Sequence, residues 1–222
     1  MRTRGVMTAG LVVLLALAGT GRGIRGDESS ESGTLSIYFM EEKVGYEEYS
    51  WTEEPGGYVL RVSGRLTKPL SLEVDSLTLR LSRDFIPVEY SFRGSLNGVT
   101  QEVTSSFQEG RVTNTIRAEG QETVFEARIR RDALLLPNPI FSPYLALVKR
   151  YRCGLKGKVE VSAYMIPQVE IPGSLESAAG NPCALTLKLA GVEVALETDA
   201  EGRLLSLSIP AQNIRAKPDK AD

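Results

Sequence analysis

Apolar and polar residues alternate one by one through most of the chain. Leu35, Ile37 and Phe39 alternate with Thr34, Ser36 and Tyr38; Tyr58, Leu60 and Val62 repeat the step, and so do Val88, Tyr90 and Phe92. A period of two puts alternate side chains on one side of a strand, so each segment predicts a strand with one covered and one solvated face. The phase flips between Leu70, Leu72, Val74 and Leu77, Leu79, Leu81, which predicts a bulge or a tight break at Asp75 and Ser76. Asn97 and Gly98 are the clearest short hairpin turn, and Glu109-Gly110, Glu119-Gly120 and Ala190-Gly191 separate further strands. Later strands carry Val159, Val161 and Ala163, then Leu185, Leu187 and Leu189, then Val192, Val194 and Leu196, and finally Leu205, Leu207 and Ile209. Residues 172–182 read as an irregular stretch and residues 211–222 as a polar, unstructured tail.

Residues 141–154, FSPYLALVKRYRCG, break this rhythm. Ser142 is a good N-cap and Pro143 suits a first helical position. Tyr144, Leu147, Val148 and Tyr151 recur at steps of three and four, which lines them along one helical stripe. Lys149, Arg150 and Arg152 suit the carbonyl end of the helix, and Gly154 can close it. So short a helix is marginal alone, so its stripe must dock on the surrounding strands. The expected fold is mainly β: an antiparallel meander of about eleven or twelve strands, because the connections are short. A barrel or a sandwich satisfies the pattern. A partly closed barrel is preferred, with one short helix, about residues 143–152, against its concave apolar face.

Composition adds compartment more than chemistry. Residues 1–18 read as a secretory signal peptide, with Arg2 and Arg4 before an apolar run that ends in Ala16-Leu17-Ala18. That run is short for a bilayer span, so no integral membrane span is expected in the mature chain. Residues 19–32 read as a flexible leader and residues 33–210 as a single β-rich domain. Export to the periplasm or the extracellular space turns the two cysteines, Cys153 and Cys183, into a candidate disulfide. The formal net charge of −2 gives no footprint for nucleic acid.

The chain contains no histidine, which removes the commonest general base and metal ligand, so neither a catalytic nor a metal site is expected, nor a cofactor. Glu41-Glu42, Glu47-Glu48 and Glu53-Glu54 are paired acids, but neighbouring strand residues point to opposite faces and do not converge on one bond. They read as solvated strand and turn residues. Gln101, Ser105 and Asn114 interrupt apolar series at interior positions and read either as polar anchors or as rim residues. Lys149, Arg150, Arg152, Lys156 and Lys158 form a basic cluster, read as helix-end and turn charges or, alternatively, as a patch that meets an anionic headgroup or an acidic partner.

With an export signal, antiparallel strands, a helical insertion and the opening GTLSIYFMEEKVGYEEYSW, the chain resembles the periplasmic lipoprotein-carrier superfamily. The opening also resembles the first hairpin of secreted bacterial domains of unknown function. The resemblance spans roughly residues 33–210 and matches no diagnostic motif. It implies an unclosed barrel that holds acyl chains beneath a helical lid. The functional expectation is an exported, non-catalytic domain that binds a lipid or other hydrophobic molecule. The candidate lining is Leu35, Ile37, Phe39 and Trp51 from the strands with Tyr144, Leu147, Val148 and Tyr151 from the helix. The alternative is a structural or interaction domain of the envelope, with a solid core and a protein partner.

Overall fold

A computed structural model describes residues 30–167 and 169–219 of the chain. The expected signal peptide and most of the leader lie outside the described residues. Eight strands form a meander: β1 (Ser30–Phe39), β2 (Glu42–Glu54), β3 (Gly57–Leu66), β4 (Leu72–Ser82), β5 (Pro87–Leu96), β6 (Val99–Gln108), β7 (Arg111–Ala118) and β8 (Gln121–Arg128). A crossover follows, with the two-residue β9 (Leu134–Leu135) and the helix α1 (Tyr144–Tyr151). Six further strands return: β10 (Lys158–Met165), β11 (Val169–Ala178), β12 (Asn181–Leu189), β13 (Val192–Thr198), β14 (Leu204–Ile209) and β15 (Ile214–Pro218).

All fifteen strands belong to one sheet, in the order 8-7-6-5-4-3-2-1-15-14-13-12-11-10-9. The chain starts in the middle, walks out to one edge, crosses over α1 to the other edge, and walks back to pair β15 with β1. Every pairing is antiparallel except β9 beside β10. The fold is mainly β with one short helix, and the sheet is not closed into a barrel: β8 and β9 are its two ends.

The local signals hold where the turn chemistry is strong. Asn97-Gly98, Glu109-Gly110, Glu119-Gly120 and Ala190-Gly191 all carry positive φ at both positions, the two-residue turn that suits the twist of a hairpin. The register of β4 against β5 slips at Asp75, where the change of phase placed a bulge.

Three stretches differ from the pattern-based expectation. Residues 172–182 are not irregular, because β11 and β12 run through them. Pro172 pairs with Ser162 of β10 but lies one residue outside the β11–β12 ladder, which starts at Gly173 opposite Leu189. The tail holds a fifteenth strand: β15 pairs Ala216 with Ile37, and Asp219 donates its N–H to the Thr34 carbonyl at 2.8 Å. Five residues with two apolar positions carry little signal alone; the long-range partner orders them. In β14 a slip between Glu197 and Thr198 turns Leu205 outward, so Leu204 is buried instead.

Glycine lets the sheet curl. Leu35, Glu47, Gly64, Val74, Gly94 and Gln101 lie in one row across β1 to β6. A Cβ on Gly64 would lie 2.4 Å from the Tyr46 carbonyl, and one on Gly94 only 2.0 Å from that of Glu73. No other residue admits such close approach of neighbouring backbones. The bend brings the two arms together, so that Phe107 of β6 meets Tyr164 of β10 edge to face, with ring centres 6.1 Å apart. One continuous apolar core fills the concavity, from Leu35 and Ile37 through Leu77, Leu79 and Tyr90 to Leu185, Leu187 and Leu207.

Candidate functional site

The crossover over residues 129–157 places everything of functional interest on the concave face, and α1 is its most buried part. Tyr144, Leu145, Ala146, Leu147 and Val148 are all between 0 and 9% exposed. Five consecutive buried residues cover every side of a helix, so α1 is not a two-faced lid with one docking stripe. It is core. Its start is held differently from the expected Ser142 cap: no side chain caps it. Instead the carboxylate of Glu47, on β2, accepts the N–H of Phe141 at 2.8 Å, the N–H of Ser142 at 2.6 Å and the Ser142 hydroxyl at 2.5 Å.

Glu47 is 2% exposed and is therefore not the solvated strand residue that its pairing with Glu48 suggests. Burial pushes its pKa above the usual carboxylate value, and the three hydrogen bonds pull against that rise. One signal for this was present in the sequence: Glu47 shares its parity with Tyr49 and Trp51, so it had to face inward with them. At the far end of α1, Lys149 reaches the Glu31 carboxylate at 2.5 Å and lies 5.3 Å from the Trp51 ring centre. Arg150 donates instead to the Asp132 carbonyl at 3.3 Å and Lys158 pairs with Glu160, so the basic cluster is divided among separate partners.

The eight residues expected to line a cavity are gathered on this face. Leu35, Ile37, Trp51, Tyr144, Leu147 and Val148 are buried in the core, with Phe39 and Tyr151 half-buried against it. Trp51 also stacks with Tyr58 and Phe85 in an aromatic cluster. None of the eight lines the cavities described below. Cys153 and Cys183 are joined by a disulfide that ties the segment after α1 to β12.

Two of the three interior polar residues serve the scaffold. The Ser105 hydroxyl donates to Asn114 Oδ1 at 2.7 Å, and Asn114 Nδ2 donates to the Tyr164 hydroxyl at 2.8 Å. Tyr164 in turn donates to the Pro167 carbonyl at 2.5 Å. This chain of bonds fastens β6 and β7 to β10 through the interior, where unpartnered polar groups would be costly.

Gln101 is different. It lines an apolar cleft of about 170 Å³ walled by Leu72, Tyr90, Phe92, Val103 and Ile116 from the sheet, and roofed by residues 137–140 and 166–167. Burial drives the Tyr90 phenol far above its ordinary pKa, so this wall is neutral. Gln101 also lines a second, shallower cavity of about 540 Å³ at the tips of β6, β7 and β8, together with Glu102, Arg117, Glu119 and Glu122. Gln101 thus borders both openings, the slot walled by apolar side chains and the shallower cavity ringed by Glu102, Arg117, Glu119 and Glu122. The pattern of the sequence did not disclose the slot, because its roof is an aperiodic Pro-Asn-Pro loop.

No protein-family model matches the chain, and no curated protein matches it. Among solved structures it is similar to the crystal structure of a DUF1089 family protein from Pseudomonas aeruginosa. The two share 13% sequence identity with a TM-score of 0.45, over 95% of this chain and 98% of that one. Among the described residues no helix is long and apolar enough to cross a membrane.

Proposed function

We propose that this chain is an exported, non-catalytic binding domain that takes the apolar end of a small amphiphile into the cleft beside Tyr90, Phe92 and Ile116. The observation that carries the reading is the cleft itself: an apolar-walled slot of about 170 Å³ beside a shallower cavity ringed by charged residues, with Gln101 bordering both. A void of about 150 Å³ lined by apolar side chains accepts a benzene-sized molecule, whereas a whole drug-sized ligand needs at least about 300 Å³. The slot therefore suits a short alkyl or aromatic group, with the remainder of the molecule in the shallower cavity. A lipid-binding role of the lipoprotein-carrier kind takes this reduced form, with α1 as packing and not as the lid.

Export is supported by the basic, apolar and small-residue order of residues 1–18 and by the Cys153–Cys183 bridge, which oxidising compartments favour. A non-catalytic role is supported by the lack of any histidine and by the engagement of Glu47 in holding the crossover. Native mass spectrometry of gently purified protein is the test. A co-purified acyl species should appear, and Ile116→Trp, which fills the slot, should remove it while thermal unfolding stays close to wild type. A wild-type protein with no adduct even after incubation with a lysophospholipid, or an adduct that survives Ile116→Trp, would overturn the reading.

A further inference from the structure

The two ends of the sheet are built differently. β9 is two buried residues, whereas β8 is eight residues long and exposed along most of its length, with Val124 56% exposed. A long open edge presents a row of unpaired backbone donors and acceptors. Ile129 donates its N–H to the Gly110 carbonyl at 3.0 Å, which continues the β7–β8 ladder by one pair beyond Arg111 opposite Arg128. Antiparallel strands alternate in this respect, so Gln121, Thr123, Phe125 and Ala127 turn their backbone groups to β7. Glu122, Val124, Glu126 and Arg128 turn theirs outward.

We propose that β8 pairs antiparallel with β8 of a second copy of this chain, about a two-fold axis at Phe125. Only registers that match outward-facing residues with each other make hydrogen bonds, and the side chains choose among them. Centred on Phe125, the ladder sets Glu122 opposite Arg128 twice, and Val124 opposite Glu126. Centred on Val124, it sets Glu122 opposite Glu126; centred on Glu126, it sets that glutamate opposite itself. Like charges directly opposite are unfavourable, so the Phe125-centred register is selected. It also puts the two Phe125 rings side by side in a non-hydrogen-bonded pair, where cross-strand side chains are closest.

The charge on Arg128 points the same way. Within one chain it lies opposite Arg111, and it forms no ion pair among the described residues. Glu122 of the second copy supplies the missing carboxylate, while Glu122 keeps its own Arg117 at 2.6 Å on the other side. This pairing uses none of the residues that wall the apolar slot, although Glu122 also borders the shallower cavity.

The purified protein should sediment as a dimer at micromolar concentration and shift toward monomer as ionic strength rises. Val124→Pro removes an outward N–H that the β7 ladder does not use, and should leave a folded monomer. Phe125→Cys should crosslink with its counterpart under mild oxidation, because the native bridge leaves no free thiol to compete. Thr123→Cys, placed far from its own copy in this register, should not crosslink. A wild-type protein that stays monomeric would overturn the proposal, as would a dimer that survives Val124→Pro. So would crosslinking through Val124→Cys or Glu126→Cys in place of Phe125→Cys.

Discussion

The crossover meets the sheet in two opposite ways within fifteen residues. Over 144–148 the helix is packed on every side and its approach is pinned by the Glu47 carboxylate. Over 137–140 the chain only roofs the sheet, and an apolar slot remains beneath it. The difference teaches that a lone helix on a concave sheet need not sit over an opening. Here it completes the core, and an opening lies beneath the proline-bounded loop. Plug and pocket are adjacent but are served by separate residues.

The sharpest way to break that contrast is Glu47→Ala. It leaves two buried backbone N–H groups and the Ser142 hydroxyl without their acceptor, and each buried donor left unsatisfied costs about 1–3 kcal/mol, so a total of at least about 3 kcal/mol is expected. Denaturant unfolding should show a loss of that size. Leu147→Ala, in the middle of the plug, should cost about 3 kcal/mol, the usual range for a buried leucine in a well-packed core. Any bound amphiphile should survive Leu147→Ala at temperatures where the fold persists. Reduction of the Cys153–Cys183 bridge should lower stability by about 3 kcal/mol on the chain-entropy estimate for a loop of this length, read as a drop in unfolding midpoint with reductant.

A gentler probe is pH. The folded-state pKa of Glu47 lies above its unfolded value, so the native chain binds the extra proton over that window. Its contribution to stability is then full below the ordinary carboxylate value and is lost as pH rises through the folded value. Asp132 and Asp199 carry lowered pKa values, through Arg130 for Asp132 and through backbone and Arg203 hydrogen bonds that outweigh burial for Asp199. They act in the opposite sense, losing stability as pH falls below the ordinary range. Glu47→Gln should therefore flatten only the upper part of the stability profile, and a variant whose profile matches wild type there would remove Glu47 from this role. The smallest effect belongs to the slot: Ile116→Ala should cost less than the usual loss of about 2–5 kcal/mol for a fully buried isoleucine, because that half-buried side chain already borders open space, yet it should weaken amphiphile binding.

How much of this was legible follows from the range of each signal. The strands of β1 to β8 and the bulge in β4 were legible because alternation and turn residues act over a few positions. The helix was legible as a break in period, about residues 143–152 against the observed Tyr144–Tyr151. Its all-round burial was not, since Leu145 and Ala146 lie off the apolar stripe and become buried only when both arms of the sheet close around them. The eight expected lining residues are indeed gathered on one face, but packing turned them into core. β15 was missed because its order comes from β1, far away in sequence.

The sequence by itself determined the β-rich class, the meander and the position of the one helix, because these are properties of neighbours along the chain. Only the tertiary structure decided that the sheet stays open at β8, that Glu47 holds the crossover, and that an apolar opening lies beneath residues 137–140. Those outcomes depend on how two arms of one sheet approach across the concavity, and pattern along a chain carries no measure of the space between residues distant in it.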